Sequence, residues 1–247
     1  MADALGPRLK LAVLVPSTNT VVQPEFDGMR PNGVTNHISR IRIPNLPLAS
    51  DADFRRLVEL IAAAQLEAVD SAMSCEPGHV VLGISVETFW GGLEASRKLM
   101  AELAAHTGLG ITGGADACAA AFAALGVRRI AVLTPYFPVG DQNVRRFFEE
   151  SGYQVARIKG LQCASPVLIA HVPGETLRAA VEELDGDDVD AVIQVGTNLA
   201  MAKLAGEMEA ERAKPILAIN ACIYWRALRS NGIADRVAGW GSLLQEH

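Results

Sequence analysis

The chain has 247 residues, half of them hydrophobic, and a formal net charge of −6. That length supports one large domain or two lobes with cores of their own. The charge pattern offers no basic stripe for nucleic acid, and no apolar run approaches the roughly 20 residues of a membrane span. The opening "MADALGPRLK" lacks the charged start and apolar core of a signal peptide, so a cytoplasmic protein is expected.

In chain order, "LKLAVLV" (9–15) is a first buried strand, followed by the polar loop "PSTNT". "HISRIRI" (37–43) alternates like a more exposed strand. "DADFRRLVELIAAAQLEAVDSAM" (51–73) carries apolar residues three and four apart, with Asp51 as its cap, and predicts a long amphipathic helix. "HVVLGI" (79–84) is a third strand, "ETFWGGLEASRKLMAELAAHTG" (87–108) a helix stopped by Gly108, and "GLGIT" (108–112) a short fourth strand.

The pattern then restarts. After a small-residue helix, "ADACAAAFAALG" (115–126), "RRIAVLTP" (128–135) repeats "LKLAVLVP" (9–16) 119 residues downstream. "YQVARIKG" (153–160) repeats "NHISRIRI" (36–43) at 117, and "AVIQVGTNLA" (191–200) repeats "HVVLGISVET" (79–88) at 112. "PILAIN" (215–220) falls where "GLGITG" falls in the first half. An internal duplication of about 115 residues predicts an α/β fold of two pseudo-symmetric lobes, each with a four-stranded parallel sheet flanked by helices. The final helix, "NACIYWRALRSNG" (220–232), is expected to cross back onto the first lobe. The expected lobes are 1–113 plus 220–247, and 114–219.

In open parallel sheets, ligands bind beyond the carboxyl ends of the strands. Both halves place small polar residues there: Ser85, Val86 and Thr88 after the third strand, and Gly196, Thr197 and Asn198 after the seventh. Facing lobes bring them together, with Ser85 opposite Thr197 and Ile84 opposite Gly196. Pro16, Ser17, Thr18 and Asn19 form a loop that serves either as a turn and helix cap or as a carboxylate cradle. Ser85 sits in G-I-S-V-E, without the second glycine of a hydrolase elbow, so it suits hydrogen bonding better than attack. Glu87 is either a helix-start carboxylate or an acid poised among Thr88, Phe89 and Trp90 to move protons. Tyr136, one of three tyrosines, either packs on the cleft wall or touches the ligand.

"GLGITG" (108–113) spells a dinucleotide fingerprint but follows a helix and lacks an acid at the right distance, so no dinucleotide is expected. The four cysteines (Cys75, Cys118, Cys163 and Cys222) form no CxxC pair and read as reduced thiols. The histidines share no ligand spacing with a carboxylate, so no catalytic metal bound in a sequence-local motif is expected.

With "PSTNT", "ALGVRRIAVLTPY" and "NACIYWRALRSNG" in view, nearly the whole chain resembles the maleate cis-trans isomerases and arylmalonate decarboxylases of the aspartate/glutamate racemase superfamily. The resemblance implies two α/β lobes, a site between them, no cofactor and a small carboxylic acid as substrate. It implies a carboxylate nest from Ser17 to Thr20 and the paired strand ends, with Asn19 and Tyr136 as ligand-binding residues. Racemases and maleate isomerases carry a cysteine at each paired strand end, and arylmalonate decarboxylases keep the second-lobe one. Here those positions are Ile84 and Gly196. Thiol addition and two-cysteine racemisation are therefore not expected. Glu87 and Tyr136 are left as the catalytic candidates, with Cys163 in "GLQCASP" as a third group able to move protons.

Three readings stay open: a decarboxylase or isomerase of a small carboxylic acid working without cysteines, a hydrolase or hydratase in which Glu87 activates water, and a carboxylate-binding protein without chemistry. The expected partner is a small carboxylic acid, not nucleic acid or membrane. A homo-oligomer is compatible with each reading.

Overall fold

The computed structural model describes residues 3–247; Met1 and Ala2 lie outside them. The first half runs β1 (Leu9–Pro16), α1 (Val22–Met29), β2 (Val34–Ile41), α2 (Asp51–Met73), β3 (His79–Leu82), α3 (Val86–Phe89), α4 (Gly92–Thr107) and β4 (Ile111–Thr112). The second runs α5 (Gly114–Leu125), β5 (Arg129–Thr134), α6 (Pro138–Glu150), β6 (Gln154–Gly160), α7 (Gly174–Leu184), β7 (Ala191–Gln194), α8 (Ala202–Arg212) and β8 (Ile216–Ala218). Helices α9 (Ile219–Ser230) and α10 (Ser242–Glu246) close the chain.

The strands form two four-stranded sheets, β2-β1-β3-β4 and β6-β5-β7-β8, parallel throughout. The central strands are apolar on both sides because helices cover both faces. Leu11 to Val15 and Ile130 to Leu133 are fully buried. The register reproduces the duplication: Leu14 pairs with Leu82 in the first sheet, and Leu133 with Gln194 in the second. Ile84 and Gly196 then stand two residues past equivalent strand ends, and Ser85 and Thr197 three.

Three elements differ from the sequence expectation. In the outer strands Val15 pairs with Arg40, whereas its equivalent Thr134 pairs with Gly160, so β2 and β6 correspond at 120 residues after the irregularity at Ile130–Ala131, not at 117. A half-exposed edge strand has a weak apolar pattern, and one face does not fix its register. The expected helix 87–108 is two helices. Gly91 and Gly92 both take positive φ (79° and 82°), a conformation that ends α3 after one turn and turns the chain into α4. The cap of α2 is Ser50 rather than Asp51: its hydroxyl accepts from the Asp53 N–H at 3.2 Å. Gly108 ends α4 as expected, at φ 69°. Helix α9 packs against α1, β3, β4 and α5. No helix of the described residues is long and apolar enough to cross a membrane.

Candidate functional site

The carboxyl ends of β1, β3, β5 and β7 converge on a cavity in which about 60 Å³ is open to the centre of a water-sized sphere. The first lobe contributes Pro16, Thr18, Asn19, Ser85 and Val86 from the sequence-predicted set, and the second contributes Tyr136, Gly196, Thr197 and Asn198. Ser17, Glu87 and Thr88 do not line it.

Its polar end is an uncharged network that crosses between the lobes. Ser85 Oγ and Tyr136 Oη share a hydrogen bond of 2.5 Å, and the Thr197 N–H donates to Ser85 Oγ at 3.3 Å. Thr197 Oγ1 donates to the Gly83 carbonyl and accepts from Asn19 Nδ2 at 3.3 Å. Counting hydrogens shows what is left for a ligand. Ser85 and Tyr136 hold two hydroxyl protons and use one between themselves, so one remains. Asn19 Nδ2 keeps one N–H, and the backbone N–H groups of Thr18, Gly196 and Asn198 meet no acceptor among the described residues. The lining contains no lysine, arginine or histidine. The site is therefore a cluster of neutral donors, suited to an oxyanion and supplying no positive charge.

Several polar residues are consumed by the scaffold. Asn198 Oδ1 accepts from the Thr20 N–H at 3.0 Å, while its Nδ2 donates to the Thr18 and Pro166 carbonyls. Its side chain thus braces the first-strand loop, and its backbone N–H alone is free. Asn19 Oδ1 accepts from the N–H groups of Val21 and Val22, which starts α1. Ser17 Oγ exchanges two hydrogen bonds with the Ile43 backbone. Thr88 Oγ1 donates to the Ser85 carbonyl and accepts from the Ala115 N–H, tying α3 to the start of α5.

Glu87 is fully buried beside this network, and neither carboxyl oxygen has a hydrogen-bond partner. Burial pushes it up to about 8 from an ordinary 4.5, so it is protonated at neutral pH. Burial also drives Tyr136 well above the ordinary phenol range, partly opposed by the Ser85 hydrogen bond and reinforced by the nearby Glu87 charge. Both groups are acids holding their protons.

The rest of the lining is largely apolar and includes Ile43, Phe54, Leu57, Ile61, Ile84 and Ile169. The Phe54 ring lies 5.2 Å from that of Tyr136. Apart from Ile84, sequence reasoning did not place these residues in the site. Phe54, Leu57 and Ile61 follow helical spacing on α2, a stripe that reads as core packing. At Gly196 the backbone excludes a side chain: φ is 137°, and an added Cβ would stand 2.4 Å from Pro135 Cδ. Cys163, in the loop after β6, is buried and held by that burial at about 11, outside the lining.

Comparison with known proteins follows this geometry. The family model for arylmalonate decarboxylase matches residues 13–244. Among curated relatives, the maleate isomerase of Nocardia farcinica (strain IFM 10152) is 26% identical over 251 residues, covering 96% of each chain. A Nocardia farcinica maleate cis-trans isomerase variant with a covalently bound succinylcysteine intermediate superposes with a TM-score of 0.86 at 23% identity, over 96% of this chain and 98% of the other. The maleate isomerase of Pseudomonas putida S16, solved with maleate, gives a TM-score of 0.87 at 20% identity, over 96% and 97%. A liganded double mutant of arylmalonate decarboxylase gives 0.80 at 20% identity, over 96% and 99%. The resemblance read in the sequence thus holds over almost the full length, and the chain belongs to the arylmalonate decarboxylase family, a group of isomerases and decarboxylases within the aspartate/glutamate racemase superfamily.

Proposed function

We propose that this chain is a cofactor-independent decarboxylase of a malonate-type acid bearing an apolar substituent, working without a thiol. The observation that carries the reading is the make-up of the cavity lining. Neutral donors from Ser85, Tyr136, Asn19 and the free N–H groups share it with the apolar side chains of Phe54, Leu57, Ile61 and Ile169. The donors suit the carboxylate that is retained, and the apolar wall suits the substituent and the carboxylate that leaves, whose charge is poorly accommodated there. Breaking the bond from the α-carbon to that carboxylate releases carbon dioxide. The electron pair passes into the retained carboxylate as an enediolate, where the extra negative charge falls on the donors.

A proton must then add to the α-carbon. In this reading it comes from the Ser85–Tyr136 hydroxyl pair, and Glu87, protonated at neutral pH and without a direct hydrogen bond to the pair, returns a proton to it through an intervening water before solvent restores its own. Glu87 therefore acts through the pair and not on the ligand. Its protonated state also counts against water activation, which needs the ionised form. Maleate isomerisation by thiol addition has no nucleophile at Ile84 or Gly196.

The test is turnover in heavy water of malonates carrying phenyl or alkyl substituents. The expected result is carbon dioxide release with one deuterium at the α-carbon per turnover. Deuterium incorporation without carbon dioxide would replace the decarboxylase with an isomerase, and tight binding with neither would leave a binding protein.

A further inference from the structure

The helix that follows the first strand of each sheet carries an acid at its fourth position, Glu25 in α1 and Asp141 in α6. Neither lines the cavity. Glu25 joins three elements. Its Oε1 accepts from the Ala202 N–H at the start of α8, and its Oε2 accepts from Asn220 Nδ2 at 2.6 Å. The second hydrogen of that amide goes to the Thr197 carbonyl at 3.0 Å. A lobe-one carboxylate thus holds the turn between β7 and α8 at two points, Thr197 through Asn220 and Ala202 directly, and Gly196, Thr197 and Asn198 of that turn line the cavity. Asp141 stands in an analogous place. Its Oδ1 accepts from Thr134 Oγ1 at 2.5 Å, and Thr134 Oγ1 accepts from the Tyr136 N–H at 3.0 Å.

We infer that Glu25 is a positioning residue that, through Asn220, holds the Thr197 turn in register for ligand binding, and that Asp141 does the same for Tyr136 through Thr134. The inference rests on the reading of the cavity as a carboxylate site. Asn220 is fully buried, yet its Oδ1 has no partner. A buried orphan acceptor is costly, and here it follows from the arrangement: both amide hydrogens are committed to Glu25 and Thr197. The grip requires ionised Glu25. A carboxylate accepts on both oxygens, whereas the carboxylic acid turns one of them into a donor facing the Asn220 hydrogens. Satisfying that donor with Asn220 Oδ1 would turn the amide over and release the Thr197 carbonyl.

Electrostatics places this change near neutral pH. Burial raises Glu25 to about 7 against the Asn220, Ala202 and Met201 hydrogen bonds, and no charged group on the elements packed around it enters the balance. Burial raises Asp141 to about 7 as well, with Thr134 and Arg145 opposing and Asp51 reinforcing. The sign follows. Ionised Glu25 holds the turn, so ligand affinity tightens as pH rises through about 7.

The experiment measures the affinity of phenylacetate, which carries the retained carboxylate and cannot lose carbon dioxide by this reaction, by calorimetry from pH 6 to 8, with the amide NMR signals of Thr197 and Ala202 followed over the same range without ligand. Wild type should tighten about three- to tenfold, the effect of one net hydrogen bond. Glu25→Gln should keep only the part of this change that Asp141 supplies, and Glu25→Gln combined with Asp141→Asn should be flat over the range. Asn220→Ala, which keeps the Ala202 cap, should weaken binding as Glu25→Gln does, and Glu25→Gln combined with Asn220→Ala should add nothing further. The two amide signals should titrate near pH 7 in wild type and not in Glu25→Gln. Amides that do not titrate in wild type, or titrate alike in the variant, would overturn the inference. If phenylacetate binds wild type at no pH but the amides titrate as expected, the carboxylate reading fails and the positioning role stands.

Discussion

Replacing Glu87 with glutamine separates a scaffold carboxylate from a working one, because the two readings give opposite combinations of stability and activity. Glu87 is fully buried and its oxygens are unpartnered, so the folded state resists its ionisation up to about pH 8 against 4.5 ordinarily. For an acid raised by folding, the unfolded chain releases the proton first. Stability is then greatest below about pH 4.5 and is lost progressively as pH rises to about 8, above which it levels off. Each unit is worth about 1.4 kcal/mol. At pH 7 the penalty is on the order of 3 kcal/mol, a large share of a typical 5–15 kcal/mol. Glutamine keeps the shape and never ionises.

Urea unfolding of both proteins at fixed ionic strength gives two stability–pH curves. Glu25 and Asp141 titrate in both, so the difference isolates Glu87. The curves should diverge by roughly 3 kcal/mol between pH 5 and 8, with the variant more stable at the alkaline end. Turnover should move the other way: wild-type rate falling as pH rises through about 8, and the variant losing on the order of 10²-fold at its best pH. Parallel stability curves would refute the burial argument. A variant that keeps more than about a tenth of the wild-type rate would refute the proton-return role, since that loss is below the range of a positioned acid.

Tyr136→Phe removes one hydroxyl of the 2.5 Å pair and leaves Ser85 Oγ bonded only to the Thr197 N–H; phenylacetate affinity, measured by calorimetry, should fall about tenfold. Gly196→Cys, which restores a thiol at the second-lobe strand end, should lower stability in urea by about 1–3 kcal/mol, because the site is held at φ 137° with Pro135 2.4 Å from the new Cβ. Ile84→Cys, whose side chain already faces the cavity, should fold with a loss near 2–3 kcal/mol from the smaller side chain. Asn198→Ala leaves three backbone groups of the first-strand and Pro166 segments without their brace, so it should lower the unfolding midpoint in urea as well as weaken ligand binding, by about 2–3 kcal/mol in stability.

The duplication was legible because its carriers are central strands. Within "LKLAVLVP" and "RRIAVLTP" the stretches Leu11–Val15 and Ile130–Leu133 are buried on both faces, so apolar identity is enforced along them and the 119-residue offset survives in the register of Leu14 and Leu133. The edge strands β2 and β6 carry only half that constraint, and their correspondence was read three residues short. Residue type also located the polar end of the cavity. It could not say how each donor is spent. Asn198 looks like a ligand-binding amide and is saturated by backbone, while Thr88 and Ser17 look like nest hydroxyls and pin α3 and the first-strand loop. Hydrogen-bond allocation depends on which groups converge from distant segments, and no local spacing encodes it.

The same limit bears on the two positions where relatives of this fold are expected to carry thiols. In sequence, Ile84 and Gly196 are two equivalent losses. In three dimensions they are different. Ile84 presents a side chain to the cavity and adds to its apolar wall, whereas Gly196 sits in a backbone conformation closed by Pro135, with its N–H left among the donors. A chain that had merely lost its nucleophiles would be under no pressure to commit one strand end to a backbone that disfavours a side chain, or to retain a buried, unpaired Glu87 whose penalty at pH 7 is a few kcal/mol. The two features together favour a rebuilt site over a decayed one. In the proposed reaction the donors bind, the apolar lining receives the substituent, and the exchangeable protons reside on Ser85, Tyr136 and Glu87.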